Sequence, residues 1–536
     1  MKIIWILLAA PLLAQIDSDR LVHAGSEPQN WLTYSGEYNG QRYSLLDQIT
    51  PENVKNLELK WVFQAHSTEK FEATPLVVDG VMYFAAAPNH VFVIDAKTGR
   101  TFWDYEYKPS REARPCCGSV SRGLAILGDT LYLGALDARL VAIDAKSGHP
   151  VWNVEVADPK LGYTITHAPL VVKDKVLVGV SGGEYGIRGF IAAYDAHSGK
   201  EAWRFYTVAG PGDPGVKTWQ GDSWQHGGAP AWVTGSYDPG LNLVYWGTGN
   251  PGPDWNGDDR GGDNLYSDCA VALDADTGKL KWYFQFTPHD EFDYDATQIP
   301  VLVDADWNGR ARKLMMWANR NGFFYVLDRE TGKFLSGHPF AKLNWAKGLD
   351  EAGRPMRVAE VNPTPEGTLI YPNLYGATNW YSPSYSPRTK LFYIPSWQNS
   401  SMVMAKMPAE FTPGQRYGGG RSRAQEVGRR GMENTPVEES AYGSVLAIDP
   451  QTGDRRWEFK MRDVTASGIL TTASDLLFTG GREGYFYALD ARSGAELWRA
   501  SLGGSEEAGP ISFRVEGKQY ISIAAGSALF TFALRD

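Results

Sequence analysis

Haem attachment, nucleic acid and membrane spans are all poorly provided for in this chain. Among 536 residues only three are cysteine, Cys116, Cys117 and Cys269, and none stands in a Cys-x-x-Cys-His arrangement, which excludes a covalently attached c-type haem. No long run of Lys and Arg occurs and the net charge is −10, so nucleic acid is not an expected partner. Apart from the stretch Ile3 to Leu13, no apolar run approaches membrane length, and that one is too short to span a bilayer. It follows the basic Lys2 and ends at the small Ala14 before polar Gln15 and Asp17. That is the pattern of a secretory signal over residues 1–14, cleaved near Ala14. A mature protein outside the cytoplasm, in the periplasm and without a membrane span, is expected.

What is abundant points to short strands and tight turns: Gly 58, Pro 31, Trp 19, Tyr 27 and Phe 22. A unit recurs, in which an apolar strand leads to Asp, two variable residues, Thr or Ser, Gly, and then Trp four residues on. It runs from Asp95 to Gly99 and Trp103, from Asp144 to Gly148 and Trp152, and from Asp195 to Gly199 and Trp203. Further copies start at Asp274 (Trp282), Asp449 (Trp457) and Asp490 (Trp498). The copy from Asp328 to Gly332 has Ser336 where Trp is expected, and Leu57 to Trp61 reads as the strand end of a unit lacking its turn. The unit is a hairpin: Asp caps the turn, Gly takes positive φ, and Trp leads the next strand. Trp recurs at steps of 42, 49 and 51 residues from Trp61 to Trp203, the length of a four-stranded propeller blade. Counting the degenerate and partial copies, an all-β, eight-bladed β-propeller over residues 15–536 is expected, with insertions between Trp203 and Trp282 and between Ser336 and Trp457.

One stretch stands out chemically. Pro288 to Asp295 places Asp290, Glu291, Asp293 and Asp295 within six residues, after the aromatic run Trp282, Tyr283, Phe284 and Phe286. In an extended segment Asp293 and Asp295 share a face with Cα atoms roughly 6–7 Å apart. Carboxylates so placed repel unless a cation sits between them or one keeps its proton. A solvated acidic loop would read the same way. The adjacent Cys116 and Cys117 leave two options open, a pair of reduced thiols or a strained bridge, and an oxidising compartment favours the bridge. Cys269, in the apolar Cys-Ala-Val-Ala-Leu, reads as a small core residue.

The Ala-x-Asp-x-x-Thr-Gly-x-x-x-Trp unit resembles the tryptophan-docking motif of the pyrroloquinoline quinone (PQQ) alcohol dehydrogenases, from about Trp31 to the C-terminus. The resemblance implies roles for residues that composition alone leaves ordinary. Glu72 would hydrogen-bond the quinone, and a Cys116–Cys117 disulfide would lie flat against its ring, with Arg122 binding the cofactor. Thr166, Ser181, Gly182 and Gly183 would be further cofactor contacts. Trp232 would stack on the opposite face, and Arg320 and Asn379 would complete the cofactor set. Glu184, Asn250 and Asp293 would ligate a metal, with Asp293 also the catalytic base. Asp295 stands where calcium-type members commonly carry Ala, as in lanthanide-dependent members. It adds a carboxylate that favours a trivalent lanthanide ion over Ca²⁺, the alternative metal. Two departures bear on the pocket: Pro230 replaces a Thr two residues before Trp232, and Ala466 stands where a Trp is common.

The activity so implied is oxidation of a primary alcohol, methanol- or ethanol-like, to an aldehyde. With no haem on this chain, a soluble basic cytochrome c is the expected electron acceptor, steered by the acidic surface. A homodimer is compatible with such a chain. The competing readings are a non-catalytic β-propeller scaffold, of the kind found in outer-membrane assembly machines, and a PQQ sugar or polyol dehydrogenase.

Overall fold

The computed structural model describes residues 16–67, 69–426 and 440–535, so the expected signal segment 1–14 lies outside the described residues. Regular structure in them is nearly all strand, and no helix among them is long and apolar enough to cross a membrane. Seven sheets have four strands and one has five, the extra strand being Tyr43–Ser44, which pairs in parallel with Leu470–Thr472. These eight sheets follow one another along the chain. The first runs from Leu76–Val78 to Thr101–Glu106, the second from Ala125–Leu127 to Pro150–Glu155, and the third from Leu170–Val172 to Glu201–Tyr206. The others begin at Ser236, Val301, Ser384, Leu470 and Ile511.

The repeat is legible in atoms. In the first sheet Asp95 Oδ1 accepts from the backbone N–H groups of Lys97 and Thr98, both at 2.9 Å, and closes the turn. Gly99 has φ +74°, and a Cβ there would sit 3.0 Å from the ring of Trp61, so the glycine is required twice over. Trp61 belongs to another sheet, and its Nε1–H donates to Ala96 O at 3.3 Å. The same indole-to-carbonyl bond joins Trp103 to Ala145, Trp152 to Ala196, Trp203 to Ala275, Trp282 to Arg329 and Trp457 to Ala491. Each Trp thus reaches the turn of the next unit, and a register shift beside it in the outer strand turns it there. The degenerate unit departs from the sequence expectation in one respect. Its turn partner is not Ser336 but His338, whose ring packs on Gly453 of the following sheet.

The insertions fall where the Trp spacing puts them. Residues 207–235 and 248–268 flank the inner strands of the fourth sheet, and residues 340–383 and 399–426 flank those of the sixth. Apolar clusters bridge consecutive sheets. One of them joins residues of the last sheets (Leu470, Ile511, Leu529) to Phe84 and Phe92 of the first. The last sheet takes its outer strand from the beginning of the chain: Leu57–Gln64 pairs antiparallel with Ala528–Leu534.

In the loop between the last two sheets, Glu506 is fully buried. Its Oε2 accepts from Gly481 N–H at 3.0 Å, and Oε1 has no partner among the described residues. Burial pushes its carboxyl up to about 8 from an ordinary 4.5. The folded chain then keeps a proton that the unfolded chain releases above about pH 4.5. Stability from this group is therefore fully present below that pH and is lost as pH rises to about 8, by roughly 1.4 kcal/mol per unit between the two values. Glu506→Gln should flatten that part of the profile. Denaturation of both proteins at pH 5, 6, 7 and 8 checks it; parallel profiles would show that Glu506 is ionised throughout.

Candidate active site

In an antiparallel pair, the start of one strand and the end of its neighbour share one edge of the sheet. The singled-out residues fall on that edge in sheet after sheet. Glu72, Arg122, Thr166 and Trp232 each precede the first strand of their sheet by three or four residues, and Asp293, Asp295 and Asn379 precede theirs by somewhat more. Ser181 to Glu184, Asn250 and Arg320 follow the second strands Lys175–Gly179, Leu243–Gly247 and Arg310–Ala318. One end of the sheet array therefore gathers residues spread over more than 300 positions.

Two connected groups result. In one, Arg122 Nη2 lies 2.8 Å from Glu72 Oε2, Arg122 Nη1 donates to Thr166 Oγ1 at 3.0 Å, and Thr166 Oγ1 lies 3.0 Å from Ser181 Oγ. The guanidinium lies between two indoles, 5.0 Å from the ring centre of Trp232 and 4.5 Å from that of Trp380. Its Nε–H is buried without a partner among the described residues. Burial raises the Glu72 carboxyl and Glu507 adds to this, while Arg122 opposes it. A flat anion fits these groups: indole faces, an unspent N–H and a buried cation.

The second group surrounds Arg320. Its Nη1 donates to Asp295 Oδ2 at 2.5 Å and lies 3.7 Å from Asp293 Oδ1, and its Nε donates to Leu374 O at 2.7 Å. Asp295 is fully engaged, accepting also from Trp232 Nε1 at 3.1 Å and from the backbone N–H of Asn250 at 2.8 Å. The acidic stretch is neither extended nor solvated, contrary to the two sequence readings of it. His289 and Asp293 have φ +52° and +62°, which coils the segment into a loop. Asp290 and Glu291 are buried for structural reasons. Asp290 accepts from the N–H groups of Phe292 and Tyr294, and Glu291 from Gly257 N–H and Arg357. Asp293 and Asp295 face the same way because both reach Arg320, not because of strand alternation.

Glu184 approaches from the facing loop, with Oε1 3.6 Å from Cys117 Sγ. The structure pairs Cys116 with Cys117 in a disulfide, and Cys269 is a buried free thiol. Gly182 has φ +118° at the start of the Gly183–Tyr185 turn, and Gly183 packs on the ring of Pro230. Asn379 differs from the rest. Its Nδ2 donates to Tyr375 O and its Oδ1 accepts from Trp380 N–H, so both ends of the amide serve its own loop. Ala466 joins Trp380, Tyr381 and Trp397 in the apolar cluster against which Trp232 packs.

Sequence reasoning missed Asp254. This buried residue accepts from Asn250 Nδ2 at 2.9 Å. Glu507 was missed too, although it precedes its first strand by the same four residues as Glu72, a regularity that could have marked it. A strap, residues 407–420, was also unforeseen. Tyr417 N–H donates to Glu184 O at 2.7 Å, Arg416 to Cys116 O at 3.1 Å, and Trp255 N–H to Gly418 O at 3.0 Å. The residues nearest Glu184 and Cys116 from outside the eight sheets thus come from an insertion.

Burial pushes the Asp293 carboxyl well above the usual range, and Asp295, Asp254 and Glu184 push it further against the pull of Arg320. Glu184 is raised by burial, with Asp295 adding to the effect and Arg416 and Arg320 opposing it. Asp293 and Asp295 meet Arg320, and Glu184 and Asp254 lie close enough to raise the Asp293 carboxyl; such hard, anionic oxygens are the donor type a multivalent cation takes.

Residues 31–338 and 351–521 match the family described as glucose/ethanol/alcohol dehydrogenase, beta-propeller domain, a PQQ family. The quinoprotein alcohol dehydrogenase PedH of Pseudomonas putida is 37% identical over 97% of this chain and 90% of its own length. The lanthanide-dependent methanol dehydrogenase of Methylacidiphilum fumariolicum is 38% identical over 95% of this chain and 86% of its own. A solved europium-containing methanol dehydrogenase superposes with a TM-score of 0.90 at 35% identity, covering 96% of this chain and all of that one.

Proposed function

Because the chain belongs to the PQQ-dependent alcohol dehydrogenase family, we propose that it oxidises primary alcohols to aldehydes, using PQQ and a lanthanide ion. The observation that carries this reading is the meeting of Asp293 and Asp295 at one guanidinium, with Glu184 and Asn250 beside them. When bound, PQQ would take the hydride from the carbinol carbon and the metal would act as Lewis acid on the quinone.

The remaining work falls to the chain. Arg122, Glu72, Thr166, Ser181, Gly182 and Gly183 would hold the cofactor's edge, the Cys116–Cys117 disulfide and Trp232 its two faces, and Arg320 and Asn379 its far side. Glu184, Asn250, Asp293 and Asp295 would hold the ion. Asp293 takes the hydroxyl proton at a carboxylate oxygen, and Arg320 keeps that oxygen oriented at 3.7 Å. The strap ties down the Glu184 turn and Cys116 through their carbonyl oxygens. Eight consecutive sheets, Trp contacts from each turn to the next and the pairing of Leu57–Gln64 with Ala528–Leu534 support eight blades closed into a ring.

The signal pattern supports export to the periplasm, and the net charge of −10 supports a basic cytochrome c as acceptor. Protein reconstituted with PQQ and La³⁺, or with PQQ and Ca²⁺, tests the reading by dye-linked assay over an alcohol series. Expected are a quinone absorbance band, alcohol-dependent turnover with La³⁺, little with Ca²⁺, and a rate with basic cytochrome c that falls as ionic strength rises. No quinone band would overturn the function, full activity with Ca²⁺ the metal, and a salt-independent rate the acceptor.

A further inference from the structure

The metal reading leaves the orientation of Asn250 unexplained. A carboxamide offers an oxygen on one side and N–H donors on the other, and only the oxygen can meet a cation. The backbone N–H of Asn250 is held by Asp295 Oδ1 at 2.8 Å, which fixes the main chain but not the amide. What fixes the amide is on its other side. Asn250 Nδ2 donates to Asp254 Oδ1 at 2.9 Å and lies 3.4 Å from Pro251 O. Its Oδ1 turns the opposite way, 3.8 Å from where a Cβ on Gly183 would stand, and so toward the turn that carries Glu184.

Asp254 Oδ1 accepts from the Asn250 amide nitrogen, and an acceptor on that side of the amide leaves its oxygen on the other. Asp254 is itself held fast. Pro253 O accepts from Arg260 Nε at 3.2 Å and Nη2 at 3.0 Å. Trp255 N–H donates to the strap at Gly418 O, and Asn256 Nδ2 donates to Met407 O at 2.8 Å. Shape alone would be served as well by a neutral residue. A fourth buried carboxylate in a pocket with Glu184, Asp293 and Asp295 costs free energy unless its acceptor character is used.

We propose that Asp254 is a positioning residue of the metal centre, holding the Asn250 amide with Oδ1 toward the ion. The inference rests on the metal reading above, and its test separates the two. The probe is Tb³⁺ titrated into PQQ-reconstituted protein, followed by luminescence sensitised through Trp232. Asp254→Ala should weaken Tb³⁺ binding about 10- to 100-fold, the usual cost of losing a residue that orients a metal ligand. Asp254→Asn keeps the shape but admits both amide orientations, so it should also weaken binding, by less, and it covers the case in which the alanine variant does not fold.

The deciding measurement repeats both substitutions in an Asn250→Ala background. If Asp254 acts through Asn250, they should there change affinity less than about twofold. Equal losses in both backgrounds would assign Asp254 to charge alone and overturn the positioning role, as would wild-type affinity in the single variants. A wild-type protein without sensitised emission would overturn the metal reading itself.

Discussion

Asp293→Asn should lower kcat with a primary alcohol by about 10³-fold, within the range for removing a general base, while the quinone absorbance stays. The structure makes this substitution unusually clean. Asp293 sits at φ +62°, a conformation that Asn tolerates better than most residues, so the loop from Pro288 to Asp295 should keep its shape. An amide oxygen can still approach Arg320 and the ion, but it cannot hold the substrate proton. The expected signature is a fall in kcat with a metal affinity changed far less. Wild-type kcat in this variant would move the base elsewhere, with Asp295, Asp254 and Glu184 the remaining carboxylates that act on this position.

Asp295→Ala should reduce La³⁺-dependent turnover by 10²-fold or more, on the scale of losing a preorganised charged group at a reacting centre. Ca²⁺-dependent turnover should change only a few-fold. The variant removes a carboxylate that now meets Arg320, Trp232 Nε1 and Asn250 N–H. Breaking a buried ion pair leaves an uncompensated charge. Here the cost is limited because Asp293 lies 3.7 Å from the same Nη1 and Leu374 O still accepts from Nε. A melting midpoint lowered by several degrees, with the cofactor retained, is the expected background. Dye-linked assays with each metal, read beside a thermal melt, check it. Full lanthanide activity in this variant would remove Asp295 from the metal centre.

The Trp repeat was legible because each of its letters has a local cause: Asp caps, Gly takes positive φ, and Trp needs a glycine to land on. His338 was not legible because its role depends on Gly453 more than 110 residues later, and a histidine two places from the expected Trp carries no local mark. Asp293 and Asp295 were found by charge density, but the reason given was geometrically wrong. Period-two alternation assumes extended backbone, and two left-handed residues break it. Asp254 escaped for the opposite reason. It stands among Pro and Gly in a loop that also carries the exposed Asp258 and Asp259, and only the way that loop folds back over four residues sets it against Asn250. Asn379, taken from the resemblance, lies at the expected edge but commits its amide to its own loop.

The pairing of Leu57–Gln64 with Ala528–Leu534 has a consequence for how the molecule is made. During synthesis the early strand waits while about 470 residues emerge, so its closure is among the slowest contacts in the fold. Through that interval it is a free β-edge, the kind of surface that recruits strangers. Its sequence carries a local charge pair, Glu58 and Lys60 at 2.6 Å, while Leu57 and Trp61 are buried and Phe63 packs on Phe84 and Phe92. Those two charges act as a temporary guard, needed most before the native partner strand exists.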